Sequence, residues 1–158
     1  MSVQTSVSLR SGAAVAGMLA DSGPVDIMSR VLETAGGTQF GRFVARGATP
    51  GKTTKILSAA GDVAIIEGVS VFTALQEGGA SPDISQYEEV SVMRSGRIWL
   101  LCQAAIAVTD TLYVIRDGSA SAGLLTASAT GTTAIGSGVH CLIGAGAGEY
   151  GLFQVHFV

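Results

Sequence analysis

Apolar and polar residues alternate over short distances along this chain, and glycine punctuates the runs. Alternation with period two marks strands that bury one face. Val3, Thr5, Val7 and Leu9 alternate loosely over the first ten residues, as a short strand would. Residues 27–32 predict a strand. Residues 40–46 set Phe40, Arg42, Val44 and Arg46 against Phe43 and Ala45, and 53–57 is short and β-prone. Residues 63–66 and 69–74 flank Gly68, and a glycine inside a strand pattern marks a bulge or a close backbone approach. In the second half, 90–93 leads to a turn expected at Ser95-Gly96, and 97–102 follows with Trp99. Further candidates are 105–108, 111–115, 124–127, 139–143 and a closing strand at 151–158. No long segment has period 3.6. The expected fold is all-β, a short-stranded sandwich or barrel.

The pattern repeats. Shifted by 70 residues, the chain aligns with itself without a gap, and nine of the 32 positions from 41 to 72 are identical. Phe43-Val44-Ala45-Arg46 falls on Tyr113-Val114-Ile115-Arg116, and Gly68-Val69 on Gly138-Val139. Duplicated β units with glycine turns suggest a structural module. The polar stretch 76–87, with Gly78-Gly79-Ala80-Ser81-Pro82-Asp83, is the natural boundary, giving halves of about 25–82 and 83–158.

Residues 1–24 differ from the rest. From Ser11 to Pro24 the residues are small, with only Val15, Met18 and Leu19 as apolar anchors. Two readings are open: a short turn packed on its own domain, or an N-terminal arm ordered by contact with a neighbour.

Composition bears on the surface of the whole chain. Hydrophobic residues make up 47% and charged residues 13%, and there are 22 glycines. A typical chain carries about 25% charge and about 7% glycine. So little polar surface suggests that other subunits cover part of the apolar surface. Net charge is −3, and Lys occurs only at 52 and 55. Nucleic-acid binding needs a basic face to displace counterions, and none is legible. No apolar stretch reaches the roughly 18 residues of a membrane span. The first residues lack a basic region followed by an apolar one, so no signal peptide is read.

Candidate chemistry is sparse. Cys102 and Cys141 each sit in an apolar run and read as buried thiols, although a disulfide stays open. His140 and His156 lack partners at metal-ligand spacing, and Cys141 beside His140 would face the other side of a strand. Glu88 and Glu89 likewise point apart. Gly144–Gly148 precedes a strand and not a helix, so it reads as a bend and not a phosphate loop. No nucleophile elbow with its partners is found. No catalytic residue, cofactor or metal is expected. Arg46 and Arg116, equivalent in the repeat, read either as solvated strand ends or as salt-bridge partners across subunits. Trp99 reads as a core residue or an interface anchor.

Several stretches together resemble the capsid decoration, or structural cement, proteins of tailed bacteriophages. They are Ala16-Gly17-Met18-Leu19-Ala20-Asp21-Ser22-Gly23-Pro24, Met28-Ser29-Arg30, Gly68-Val69-Ser70-Val71, Val92-Met93-Arg94-Ser95-Gly96-Arg97-Ile98-Trp99 and Ala107-Val108-Thr109-Asp110-Thr111-Leu112-Tyr113-Val114. Many relatives carry Pro-Gly where Val108-Thr109 stands here, a turn substitution. The resemblance implies a β-rich protein on the outside of an assembled head, made in the host cytoplasm. It would bind the major capsid protein and stabilise contacts between its subunits without catalysis, as a homo-oligomer, with a trimer favoured. Interface candidates are then Val15, Met18, Leu19, Asp21, Pro24, Arg30, Arg46, Trp99 and Arg116. The competing expectations are another virion structural protein, in the tail or head–tail joint, and a soluble β-barrel binding module.

Overall fold

The computed structural model describes residues 14–21, 23–73, 84–130 and 132–157. Ten strands carry the fold: β1 (Asp26–Leu32), β2 (Phe43–Arg46), β3 (Thr53–Ile56), β4 (Ile66–Ser70), β5 (Glu89–Leu101), β6 (Tyr113–Ile115), β7 (Leu125–Thr126), β8 (Thr132–Ala134), β9 (Val139–Ile143) and β10 (Tyr150–His156). One helical turn, α1 (Ala60–Val63), interrupts them. The all-β expectation holds.

Five strands close into a ring in the order β1-β3-β2-β4-β5, sealed by antiparallel pairing of β5 with β1. Only the β1–β3 seam is parallel. Closure removes the exposed edges that an open sheet would present. β10 and β9 extend the sheet beyond β5, and β7-β6-β8 form a second, three-stranded sheet.

Alternation sorts the walls. Even positions of β1 (Met28, Arg30, Leu32) turn inward, and Leu32 is buried while Ile27, Ser29 and Val31 outside are exposed. Leu32 joins Val44, Val90 and Val92, with Phe40 and Ile84, in a cluster that fills one end of the barrel. On the other side of β2, β4 and β5 lies the larger core. It joins Phe43, Val69, Met93, Ile98 and Leu100 to Phe153 and Val155 of β10 and to Val114 and Leu125 of the second sheet.

β5 corrects one expectation. A turn was expected at Ser95-Gly96, but a single strand of 13 residues runs straight through. Its two halves have different partners: β1 over Glu89–Ser95 and β10 over Ser95–Leu101. The pairing with β1 skips Arg94, so the strand carries a bulge there, and Gly96 sits at φ +145°. A bulge inserts one residue and reverses the facing of everything after it. That is why Met93 and Ile98, five positions apart, lie in the same core. Gly96 also makes room, since a Cβ there would come 2.9 Å from Val25 Cγ1. The turn-like pair is thus the corner where β5 passes from the barrel to the outer sheet.

Gly68 behaves as expected of an interior glycine. β4 runs through it, the β2–β4 register shifts beside it, and a Cβ would stand 2.2 Å from the Met93 carbonyl oxygen. α1 was not anticipated. Asp62 holds it by accepting from the Ser58 and Ala59 N–H groups at 2.8 and 3.0 Å. Under the 70-residue offset β6 falls on β2 and β7 on the end of β3, each pair a hairpin. Further along, α1 falls against β8, and β4 against a 3-10 turn (Gly136–Gly138) and the start of β9.

Candidate functional site

The interface candidates fall in two groups and one outlier. The first group lies along the second half of β5. Gly17 N–H donates to the Trp99 carbonyl (2.8 Å), Trp99 N–H to the Met18 carbonyl (2.9 Å) and Ala20 N–H to the Arg97 carbonyl (3.0 Å). Leu19 bridges Ile98 and packs on the larger core. Asp21 pairs with Arg97 at 3.1 Å and caps Gly23 N–H at 3.0 Å, and Pro24 leads, exposed, into β1. Residues 14–20 therefore lie on their own domain, a turn and a single bridge at Leu19 laid along β5. Residues 1–13 are outside the described residues. Val15 is 40% exposed, and Met18 and Trp99 are half-buried.

Gly17 makes this docking possible. It has φ +80°, and a Cβ would meet Gly41 N and the Ser70 carbonyl oxygen at 2.8 Å. A left-handed residue this close to two backbones must be glycine.

The second group is at the open end of the barrel, opposite the apolar cluster. Arg30 and Arg46 come together there with Arg94, Glu67, Met28, Ile66 and Phe157 around a cavity of about 230 Å³ rimmed by Pro50 and Gly51. Arg30 Nε and Nη2 both donate to Glu67 Oε1, at 3.1 and 3.0 Å, and Nη1 donates to the Ser29 carbonyl. Glu67 is 8% exposed, and its Oε2 is buried without a hydrogen-bond partner. Arg94 reaches Asp26 only at 4.0 Å. Arg116 is the outlier: it lies just after β6 and donates from Nε to Thr133 Oγ1.

Sequence reasoning missed Arg94 and Glu67. Glu67 had a signal, as the lone acid in the apolar stretch around Ile65, Ile66 and Val69. Arg94 had none, because the bulge that re-aims it depends on pairing with β1. Tyr87 was also missed. It is 74% exposed and holds φ +67°, uncommon for a residue with a Cβ.

Cys102 and Cys141 are free and buried; burial pushes Cys102 up to about 11 and raises Cys141 as well. Reactive thiols need the opposite shift. Among the described residues no three His, Cys, Asp or Glu side chains gather as metal ligands, and no helix is long and apolar enough to cross a membrane.

With this geometry in place, comparison with known proteins decides the family. A family profile described as structural cement protein (E217 gp24/Pam3 gp6) matches residues 3–156. The chain belongs to the phage structural cement proteins. Its role is structural, in the virion, on the capsid. No curated protein sequence is matched. A chain from the capsid of Myoviridae phage XM1 is similar over 99% of this chain and 98% of its own, at 23% identity and a TM-score of 0.73. The head fibre gp8.5 N base of bacteriophage phi29 is similar over 84% of this chain and 94% of its own, at 13% identity and a TM-score of 0.52. At such identities the likeness is one of fold. For a cement protein the site to find is an interface, and the two groups above are its candidate parts.

Proposed function

We propose that this cement protein binds the outer surface of the assembled head and stabilises contacts between major capsid subunits, as a homo-oligomer and most simply a trimer. The family assignment is the observation that carries this reading. The outer row of β1 and the residue before the strand support it: Ile27 and Val31 are 39 and 38% exposed, either side of the exposed Ser29, and Val25 is 40% exposed. Exposed apolar residues along this row, in a chain with 13% charge, suit a covering surface. The role needs no catalysis, because anything that binds only the intact shell stabilises it by RT ln(1 + [L]/Kd) per site.

The N-terminal arm belongs to this proposal for residues 1–13 alone, since β5 of the same chain engages residues 14–20. In a direct test, purified protein is added to shells that lack it, and shell dissociation is followed by heating. The expected outcome is saturable binding and a higher dissociation temperature, with deletion of 1–13 weakening both. No binding to shells would overturn the reading, and unchanged binding of the deletion would remove the arm from it.

A further inference from the structure

We propose that the open end of the barrel is a receptor for an acidic side chain carried on a protein loop. The inference deepens the docking proposed above and rests on it for the identity of the partner surface. The cavity collects three guanidinium groups, Arg30, Arg46 and Arg94, against one carboxylate, Glu67. Two positive charges are therefore in excess, in a chain whose net charge is −3.

The three arginines are not equivalent. Arg30 is spent on Glu67 through two donors, so it orders the wall and does not await a guest. Arg46 is exposed at the end of β2 and has no ion pair among the described residues. Arg94 is aimed here by the β5 bulge and holds only the exposed Asp26, at 4.0 Å. A surface pair that loose is worth little and is readily exchanged. Arg46 on β2 and Arg94 on β5, with β4 between them, line the same cavity, and two guanidiniums there suit one carboxylate, which each can bind in forked geometry.

Glu67 offers the guest no acceptor, since its unpartnered Oε2 is itself buried away from the cavity. An aspartate or glutamate within a turn supplies the carboxylate that Arg46 and Arg94 lack. The volume, about 230 Å³, falls below the roughly 300–1,000 Å³ of small-molecule sites and suits one side chain with its peptide unit. Met28 and Ile66 in the wall keep water from part of the site and strengthen its charges.

Binding of wild-type protein to shells lacking it is compared with R46A/R94A and with K52A, an exposed cation that does not line the cavity. The expected result is at least tenfold weaker binding for R46A/R94A, binding within twofold of wild type for K52A, and R46K/R94K in between. Equal losses in R46A/R94A and K52A, or none in either, would overturn the receptor. The acid belongs to the shell protein, so sedimentation of the variants alone should match wild type, and lost self-association would overturn that source. If wild-type protein fails to bind shells, the docking reading falls but the receptor is still decided. The capped dipeptide Ac-Asp-Gly-amide should then shift the Met28 and Ile66 methyl resonances where Ac-Asn-Gly-amide does not, and equal responses to the two would overturn it.

Discussion

Arg30 reaches across the barrel and places two of its donors on a single oxygen of Glu67, at 3.1 and 3.0 Å, leaving the other oxygen buried. The side chains are 13 and 9% exposed, so each charge depends on the other for solvation. Removing one partner strands the other. Arg30→Ala should cost about 3–5 kcal/mol, as for a broken buried pair. Replacing both, as Arg30→Met with Glu67→Leu, should recover most of that loss. Denaturant unfolding of the singles and the double gives the coupling. Additive losses would mean the pair is not an energetic unit.

Gly68 sets how closely β4 approaches β5. With a Cβ 2.2 Å from the Met93 carbonyl oxygen, Gly68→Ala must push the two strands apart. The expected cost is at least the roughly 1–3 kcal/mol of overpacking, with Tm falling accordingly. Gly61 in α1 has open space around it and ordinary φ, so Gly61→Ala should change stability by less than about 1 kcal/mol, in the stabilising direction. Thermal melts of the two variants, side by side, check the contrast.

Asp62 gives the fold an acid-sensitive joint. Burial alone would raise its carboxyl, but Lys55 at 2.8 Å and the Ser58 and Ala59 donors outweigh that and hold it below its ordinary 3.8. A carboxyl lowered by folding stabilises the protein above its unfolded value, and the gain is lost as pH falls through the folded one. Asp62→Asn should therefore cost about 1–3 kcal/mol at neutral pH, and the gap to wild type should start to narrow below about pH 4, near the unfolded value, and go on narrowing as pH falls through the lower folded one. Urea unfolding followed in steps from about pH 7 to about pH 2 measures both. A gap that does not change over that range would assign the loss to packing and not to charge.

Cys102 should be silent to thiol reagents in the folded protein. At about 11, raised by burial, roughly one thiol in a thousand is ionised at pH 8. Reaction with a chromogenic disulfide should be slow for the native chain and complete, at two thiols, once it is unfolded. Fast native labelling would mean that the core opens locally.

Much of the fold was legible because strands with one buried face write their period into the sequence. β1, β2, β3, β9 and β10 fall within a residue or three of their alternating runs. β5 was read as two strands because Ser95-Gly96 has turn chemistry, and nothing local says that β1 and β10 will pair with its two halves. The barrel mouth was half legible. Arg30 and Arg46 were named for separate reasons, but their meeting with Arg94 and Glu67 requires a closure that joins residue 26 to residue 95. Residues 14–20 left both readings open because three apolar anchors serve equally well on the same domain or on a neighbour. Gly17 is what settles the docking of 14–20, since its fit against Gly41 appears only when both backbones are placed.

Purified virions test the central claim most directly. Quantitative mass spectrometry against the major capsid protein counts the copies. A protein that covers the head surface should be present at a ratio between about one to three and one to one, by the mass action that lets many weak sites hold a shell. A handful of copies would place it at a vertex or in the tail, and its absence from virions would contradict the account.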